Sequence, residues 1–136
     1  MKLLLDTHTV VWFINCNPRL PRHIREMLDD EFNSVYVSVV SLWEISIKFR
    51  LGKLELNGSL ANVVSLLRSR GFQFLKVDLD HVFRLDALAA HHRDPFDRML
   101  IAQALAEDFA LVSCDDVFDF YEVRRLWSMS FTELEA

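Results

Sequence analysis

Two kinds of apolar pattern alternate along the chain. Short apolar stretches, Lys2-Leu3-Leu4-Leu5 and Val35-Tyr36-Val37-Ser38-Val39, lack the strict in–out alternation of a half-exposed strand and read as strands buried on both faces. Phe74–Val77, Ala110–Cys114 and Arg124–Trp127 extend the series. Between them, apolar residues recur at helical spacing over His8–Asn15, Pro21–Asp29, Ser41–Leu51, Ser59–Arg70 (closed by Gly71), Asp80–Ala90 and Pro95–Asp108. Strands that alternate with helices predict an α/β fold with a mostly parallel sheet covered on both faces. No linker, low-complexity tract or repeat interrupts the pattern, so one domain over residues 1–136 is expected. In such sheets, sites form beyond the carboxyl ends of the strands.

The polar residues that break the pattern carry the chemistry. Asp6 follows Leu3-Leu4-Leu5 directly and Asp115 follows Leu111-Val112-Ser113-Cys114, so two buried strands each end in a carboxylate on the same rim. Either acid alone is explained as a cap on the following helix. In Asp94-Pro95-Phe96-Asp97, Asp94 fits the N-cap and Pro95 the first helical position, and a capping-box-like role suits Asp97. At ~100° per residue, however, Asp97 projects about 20° from Ala104, 40° from Ile101 and 60° from Leu100, inside the apolar stripe. Glu44 poses the same conflict. Ser41-Leu42-Trp43-Glu44 reads as a capping box with Lys48 placed for an i, i+4 pair, yet Val40, Ile47 and Leu51 lie within about 60° of it. The opposite face, Leu42, Ile45 and Phe49, is apolar too, which calls for burial or an interface.

A charge turned toward a core is costly unless it is neutralised, paired or bound to a metal. Four acids from two strand ends and two helices suit a hard divalent cation, Mg²⁺ or Mn²⁺, which takes carboxylate and water oxygens. Without the ion they repel one another, and some hold a proton at neutral pH.

Composition removes other classes. With only Gly52, Gly58 and Gly71, neither a dinucleotide-binding G-x-G-x-x-G nor a P-loop can be written. Cys16 and Cys114 are far apart and make neither a C-x-x-C nor a disulfide framework, so the expected compartment is the cytoplasm. Asp6 and His8 interrupt the N-terminal apolar run with no small-residue cleavage site after it, so no signal peptide is expected, and no run is long enough to span a membrane. The 15 Lys+Arg against 20 Asp+Glu leave a net charge of −5, which taken globally argues against polyanion partners. Asp6, Glu44, Asp97 and Asp115 account for all but one of those excess charges.

Leu4-Leu5-Asp6-Thr7-His8, Ser41-Leu42-Trp43-Glu44-Ile45, the run His92-Arg93-Asp94-Pro95-Phe96-Asp97-Arg98 continuing to Ala104, and Leu111-Val112-Ser113-Cys114-Asp115 occur in an order that resembles a PIN domain. The likeness is greatest to the VapC-type toxin ribonucleases of toxin–antitoxin pairs and runs from Lys2 to about Trp127, with Asp-Pro-Phe-Asp-Arg its most specific part. The resemblance implies a three-layer α/β/α sandwich and a Mg²⁺- or Mn²⁺-dependent endoribonuclease. Residue by residue, it implies Asp6, Glu44, Asp97 and Asp115 as the metal-holding and catalytic acids, with Asp116 as the alternative to Asp115. Ser113 and Thr7 are implied as supporting hydroxyls, and Asp94 as a further acid of the subgroup. It also implies an RNA substrate, a small cognate antitoxin whose tail covers the acidic cleft, and a homodimer.

RNA binders usually present a basic face. Here Lys48, Arg50 and Lys53 follow Glu44, and Arg93 and Arg98 flank Asp97; Lys48, Arg50, Arg93 and Arg98 are the candidate phosphate contacts, each otherwise read as a solvated position. His91 and His92 are adjacent and do not face one another on a helix; with His8, His23 and His81 they are read as packing or capping groups. Three rivals remain. A haloacid-dehalogenase-like phosphatase wants a second Asp where His8 stands, and a receiver domain wants an acceptor Asp after the Val35 strand, where Ser41 follows instead. A non-catalytic PIN-like binding module is disfavoured by the presence of all four acids.

Overall fold

In the computed structural model, which describes residues 1–128, the apolar runs assemble into five strands interleaved with six α-helices. The order is β1 (Lys2–Leu5), α1 (Thr7–Ile14), α2 (Arg22–Asp29), β2 (Ser34–Ser38), α3 (Val39–Arg50), α4 (Leu60–Ser69), β3 (Gln73–Leu75), α5 (Leu79–Asp86) and α6 (Pro95–Glu107). Then come β4 (Ala110–Val112), a 3₁₀ turn (Asp116–Phe120) and β5 (Arg125–Leu126). Of the expected domain, residues 129–136 lie outside the described residues.

The strands lie in the order β3-β2-β1-β4-β5, and every pairing among the described residues is parallel. Leu3 stands opposite Val35 and Ala110, Leu4 opposite Tyr36 and Leu111, and Leu5 opposite Val37 and Val112. Alternation along each strand sends Leu3, Leu5, Val35, Val37 and Val112 into a core built with Val10, Phe13, Ile24, Leu28, Ile45 and Leu67 from α1 to α4. Leu4 and Leu111 enter a second core with Leu100, Ile101 and Ala104 of α6 and Phe118. Both faces are thus covered, as the α/β/α expectation requires. Leu3, Leu4 and Leu5 are wholly buried, each contributing about 1.5–3 kcal/mol.

The chain builds the sheet outward from β1 to β2 and β3, then crosses to β4 on the other side. The order therefore reverses between β1 and β4, and the crevice beyond their carboxyl ends is where a doubly wound sheet places a ligand.

Several boundaries differ from expectation. α3 begins at Val39, because Ser38 caps it by accepting from the Val40 amide (3.1 Å); the β-branched Val39-Val40 pair imitates a strand in sequence. Ser41 is therefore inside the helix, and the Ser41–Glu44 capping box does not form. α5 begins at Leu79, where Asp78 and His81 form a reciprocal capping box, and stops at Asp86, which leaves residues 87–94 as a loop before α6. α6 is capped by Asp94 with Pro95 in its first turn, and it ends at Asp108 in the left-handed conformation (φ 58°). No helix among the described residues is long and apolar enough to cross a membrane.

Candidate metal centre

Three of the four acids, Asp6, Asp97 and Asp115, are held at the end of an element, and Glu44 is held inside α3. Asp6 is the N-cap of α1: its Oδ1 accepts from the Thr9 amide (2.9 Å), and its Oδ2 accepts from the Ser113 hydroxyl (2.6 Å). Ser113 Oγ in turn accepts from the Asp115 amide (3.0 Å), so one hydroxyl ties the ends of β1 and β4 together. Asp115 caps the 3₁₀ turn through the Val117 amide (3.1 Å). Glu44, one turn into α3 and almost fully buried, takes the Thr7 hydroxyl on Oε1 (2.6 Å) and the Lys48 ammonium on Oε2 (2.6 Å). The Ser41 hydroxyl lies 3.2 Å from Thr7 Oγ1. Asp97 sits in the first turn of α6, and His92 Nε2 lies 2.8 Å from its Oδ2.

The electrostatics are those of buried carboxyls with other acids close by. Burial pushes the Asp97 carboxyl up to about 7, with the charges of Asp94, Asp6 and Glu44 adding to the rise and the His92 hydrogen bond opposing it. Burial also raises Asp6, against the hydrogen bonds from Ser113 and Thr9. At Lys48, burial pulls the ammonium down, but the hydrogen bond and charge of Glu44, with the charges of Asp94 and Asp97, lift it overall. Oxygen donors that resist ionisation because they are buried, and at Asp97 also because other acids lie near, match a hard dication, whose charge offsets both costs. Asp97, Asp115 and His92 bring one ligand-type atom each to within 4.8 Å of one another. Asp6 and Glu44 are close enough for their charges to act on Asp97. The residues present thus fit a Mg²⁺ or Mn²⁺ ion.

Of the two candidates for the last acid, Asp115 is the one within reach of Asp97, while Asp116 begins the 3₁₀ turn. Asp94 spends Oδ1 on the amides of Phe96 (2.8 Å) and Asp97 (3.3 Å), so its observed contacts are those of a cap. Of the four candidate phosphate contacts, Arg50 and Arg93 are exposed and Lys48 is paired to Glu44. Arg98 is a strut: its guanidinium donates to the carbonyls of Leu88 (3.4 Å), Ala89 (2.9 Å) and His92 (3.4 Å) and to Tyr121 Oη (3.3 Å). These contacts take Arg98 out of the set available to phosphate.

His92 packs against Phe118 and takes the Asp94 amide on Nδ1, within the packing or capping role read for it, and its Nε2 also meets a proposed ligand, Asp97. Only its place in a loop brings it there, and no periodicity marks loop residues. His81 does cap, as expected, and its Nε2 meets Glu107 (3.2 Å). With Asp78 these residues form a second group of metal-ligand type, but the Asp78 carboxylate and His81 Nδ1 are occupied by each other's backbone amides.

The family model described as the PIN domain matches residues 3–126. No match is found among curated proteins. Among solved structures, VapBC2 from Rickettsia felis, bound to a DNA fragment from its promoter, superposes with a TM-score of 0.73 at 19% identity, covering 94% of this chain and 100% of that one. VapBC-1 from nontypeable Haemophilus influenzae gives 0.68 at 16% identity, covering 93% and 97%. DNA-bound VapBC from Salmonella typhimurium gives 0.66 at 19%, again covering 93% and 97%.

Proposed function

The chain belongs to the PIN domain family, and from that premise we propose that it is a Mg²⁺- or Mn²⁺-dependent endoribonuclease and the toxin of a toxin–antitoxin pair. The observation that carries this reading is the burial of Asp97 among other acids: burial first, and the charges of Asp94, Asp6 and Glu44 with it, raise its carboxyl to about 7, a cost that a dication would relieve. Asp6, Asp97 and Asp115 would hold the ion, with Glu44 joining directly or through water. A cation bound there lowers the pKa of water and neutralises charge that builds on a phosphodiester as it is cleaved.

The chain's own residues supply the rest. Ser113 and Thr7 fix the carboxylates of Asp6 and Glu44 by short hydroxyl hydrogen bonds, so those oxygens need no reorganisation when substrate arrives. Lys48 pairs with Glu44 Oε2 at 2.6 Å, and the side chain so held can orient the attacking water. Arg50 and Arg93 are exposed for backbone phosphates.

Partners follow from the same reading. VapBC structures superpose on nearly the whole chain, which favours a small antitoxin whose tail enters the acidic cleft. Trp43, Ile47, Phe49 and Leu51 of the α3 region are exposed apolar residues, which favours a homodimer. The test is to incubate purified protein with structured RNA in Mg²⁺ or Mn²⁺ and then in chelator. Cleavage that stops in chelator and is lost in Asp6→Asn supports the nuclease; no cleavage of any RNA leaves a binding module.

A further inference from the structure

His92 lies in the loop between α5 and α6 and is held from several directions. Its backbone amide donates to Tyr121 Oη (2.9 Å), as does that of His91 (3.1 Å), and Tyr121 Oη itself donates to the Ala89 carbonyl (2.9 Å). Arg98, one residue after Asp97, pins the same loop through the carbonyls of Leu88, Ala89 and His92. The ring packs edge-on against Phe118 of the buried core (centroids 5.9 Å apart, planes at 68°). So much fixation of one exposed loop would be superfluous if His92 only filled space.

The two ring nitrogens have different partners, and these define the tautomer. Nδ1 accepts the Asp94 amide (3.4 Å), so it carries a lone pair and the ring proton sits on Nε2. Nε2 therefore donates to Asp97 Oδ2 at 2.8 Å and has no lone pair to offer a cation. Asp97 Oδ1 has no hydrogen-bond partner among the described residues.

We propose that His92 is a positioning residue: it anchors Asp97 by Oδ2 and leaves Oδ1 as the oxygen presented to the ion. The Tyr121–Arg98 clamp holds the imidazole in place. The chain would then use an imidazole–carboxylate pair where the other acids use hydroxyls or amides, Ser113 for Asp6 and Thr7 for Glu44. Outer partners of this kind typically change metal affinity about 10–100-fold when removed. This inference rests on the metal-site reading above, and the experiment separates the two.

Mn²⁺ binding is measured by electron paramagnetic resonance on wild type, His92→Ala, His92→Gln and Tyr121→Phe, with unfolding in chelator to verify that each variant is folded. The expected result is Mn²⁺ binding by wild type, about 10–100-fold weaker binding by His92→Ala, partial recovery in His92→Gln, whose amide still donates, and weakening in Tyr121→Phe with the imidazole intact. Pulsed measurements on the wild-type complex should show no directly bonded nitrogen. Equal affinity in His92→Ala and wild type overturns the proposal. So does a strong nitrogen coupling that vanishes in His92→Ala, which would make His92 a ligand. Absence of Mn²⁺ binding by folded wild-type protein overturns the metal site itself.

Discussion

Replacing Asp97 with Asn should stabilise the metal-free protein at alkaline pH while removing its response to metal. The Asp97 carboxyl stands at about 7 against an ordinary 3.8, so ionising it in the folded chain costs up to about 4 kcal/mol. Water reaches 19% of the side chain and neighbouring groups relax, which brings the expected net cost to about 1–3 kcal/mol. Because the folded-state pKa lies above the unfolded one, the native protein holds the extra proton. The stability this confers is complete below about pH 4 and is lost as pH rises through about 7. Asn is neutral throughout and keeps an oxygen or amide for His92. The assay is urea unfolding in chelator at pH 4.5 and pH 8. Between the two, wild type should lose about 1–3 kcal/mol more than Asp97→Asn, a midpoint difference of about 1 M. Burial raises Asp6 as well, so both proteins should share a residual decline. Millimolar Mn²⁺ at pH 8 should then restore wild type and leave Asp97→Asn unchanged. Parallel pH dependences in chelator, or equal stabilisation of both proteins by Mn²⁺, would refute the idea that a buried carboxyl among other acids defines this centre.

Other substitutions probe separate links. Ser113→Ala removes the 2.6 Å donor to Asp6 and the acceptor for the Asp115 amide; it should cost about 1–3 kcal/mol in urea unfolding and lower Mn²⁺ affinity, measured by titration, about 10–100-fold. Ser38→Ala should cost about 0.5–2 kcal/mol in thermal unfolding, because Ser38 rather than Ser41 caps α3. Lys48→Met strips the buried Glu44 of its cation and should destabilise the protein by about 1–3 kcal/mol in chelator, followed by circular dichroism, with Lys48→Arg recovering part of the loss.

Much of the site's raw material is legible in single residues because the signals are local. Asp6 and Asp115 stand at the ends of apolar runs, and Asp97 and Glu44 interrupt apolar stripes; a strand end or a helix face is a property of neighbours within a few positions. The same local logic misplaces the start of α3, since Val39 and Val40 favour a strand on their own and become helical only because Ser38 caps the helix and Ile45 docks into the core. It also leaves the surroundings of His92 and Arg98 out of sight. Arg98 resembles a phosphate contact until loop carbonyls surround it, and His92 gains its role only when the residues after α5 fold back onto Tyr121.

The alternation of runs and stripes specifies an α/β chain and puts carboxylates at strand ends and on the apolar stripes of helices, because periodicity and capping are short-range. Strand order is long-range. It follows from the need to cover both faces of β1, the central strand, and that packing puts β4 beside β1 although more than a hundred residues separate Asp6 from Asp115. The reversal between those strands, the Ser113 bridge across it and the charge crowding at Asp97 therefore exist only once the sheet is assembled, since Coulomb repulsion and burial depend on distance in space rather than along the chain.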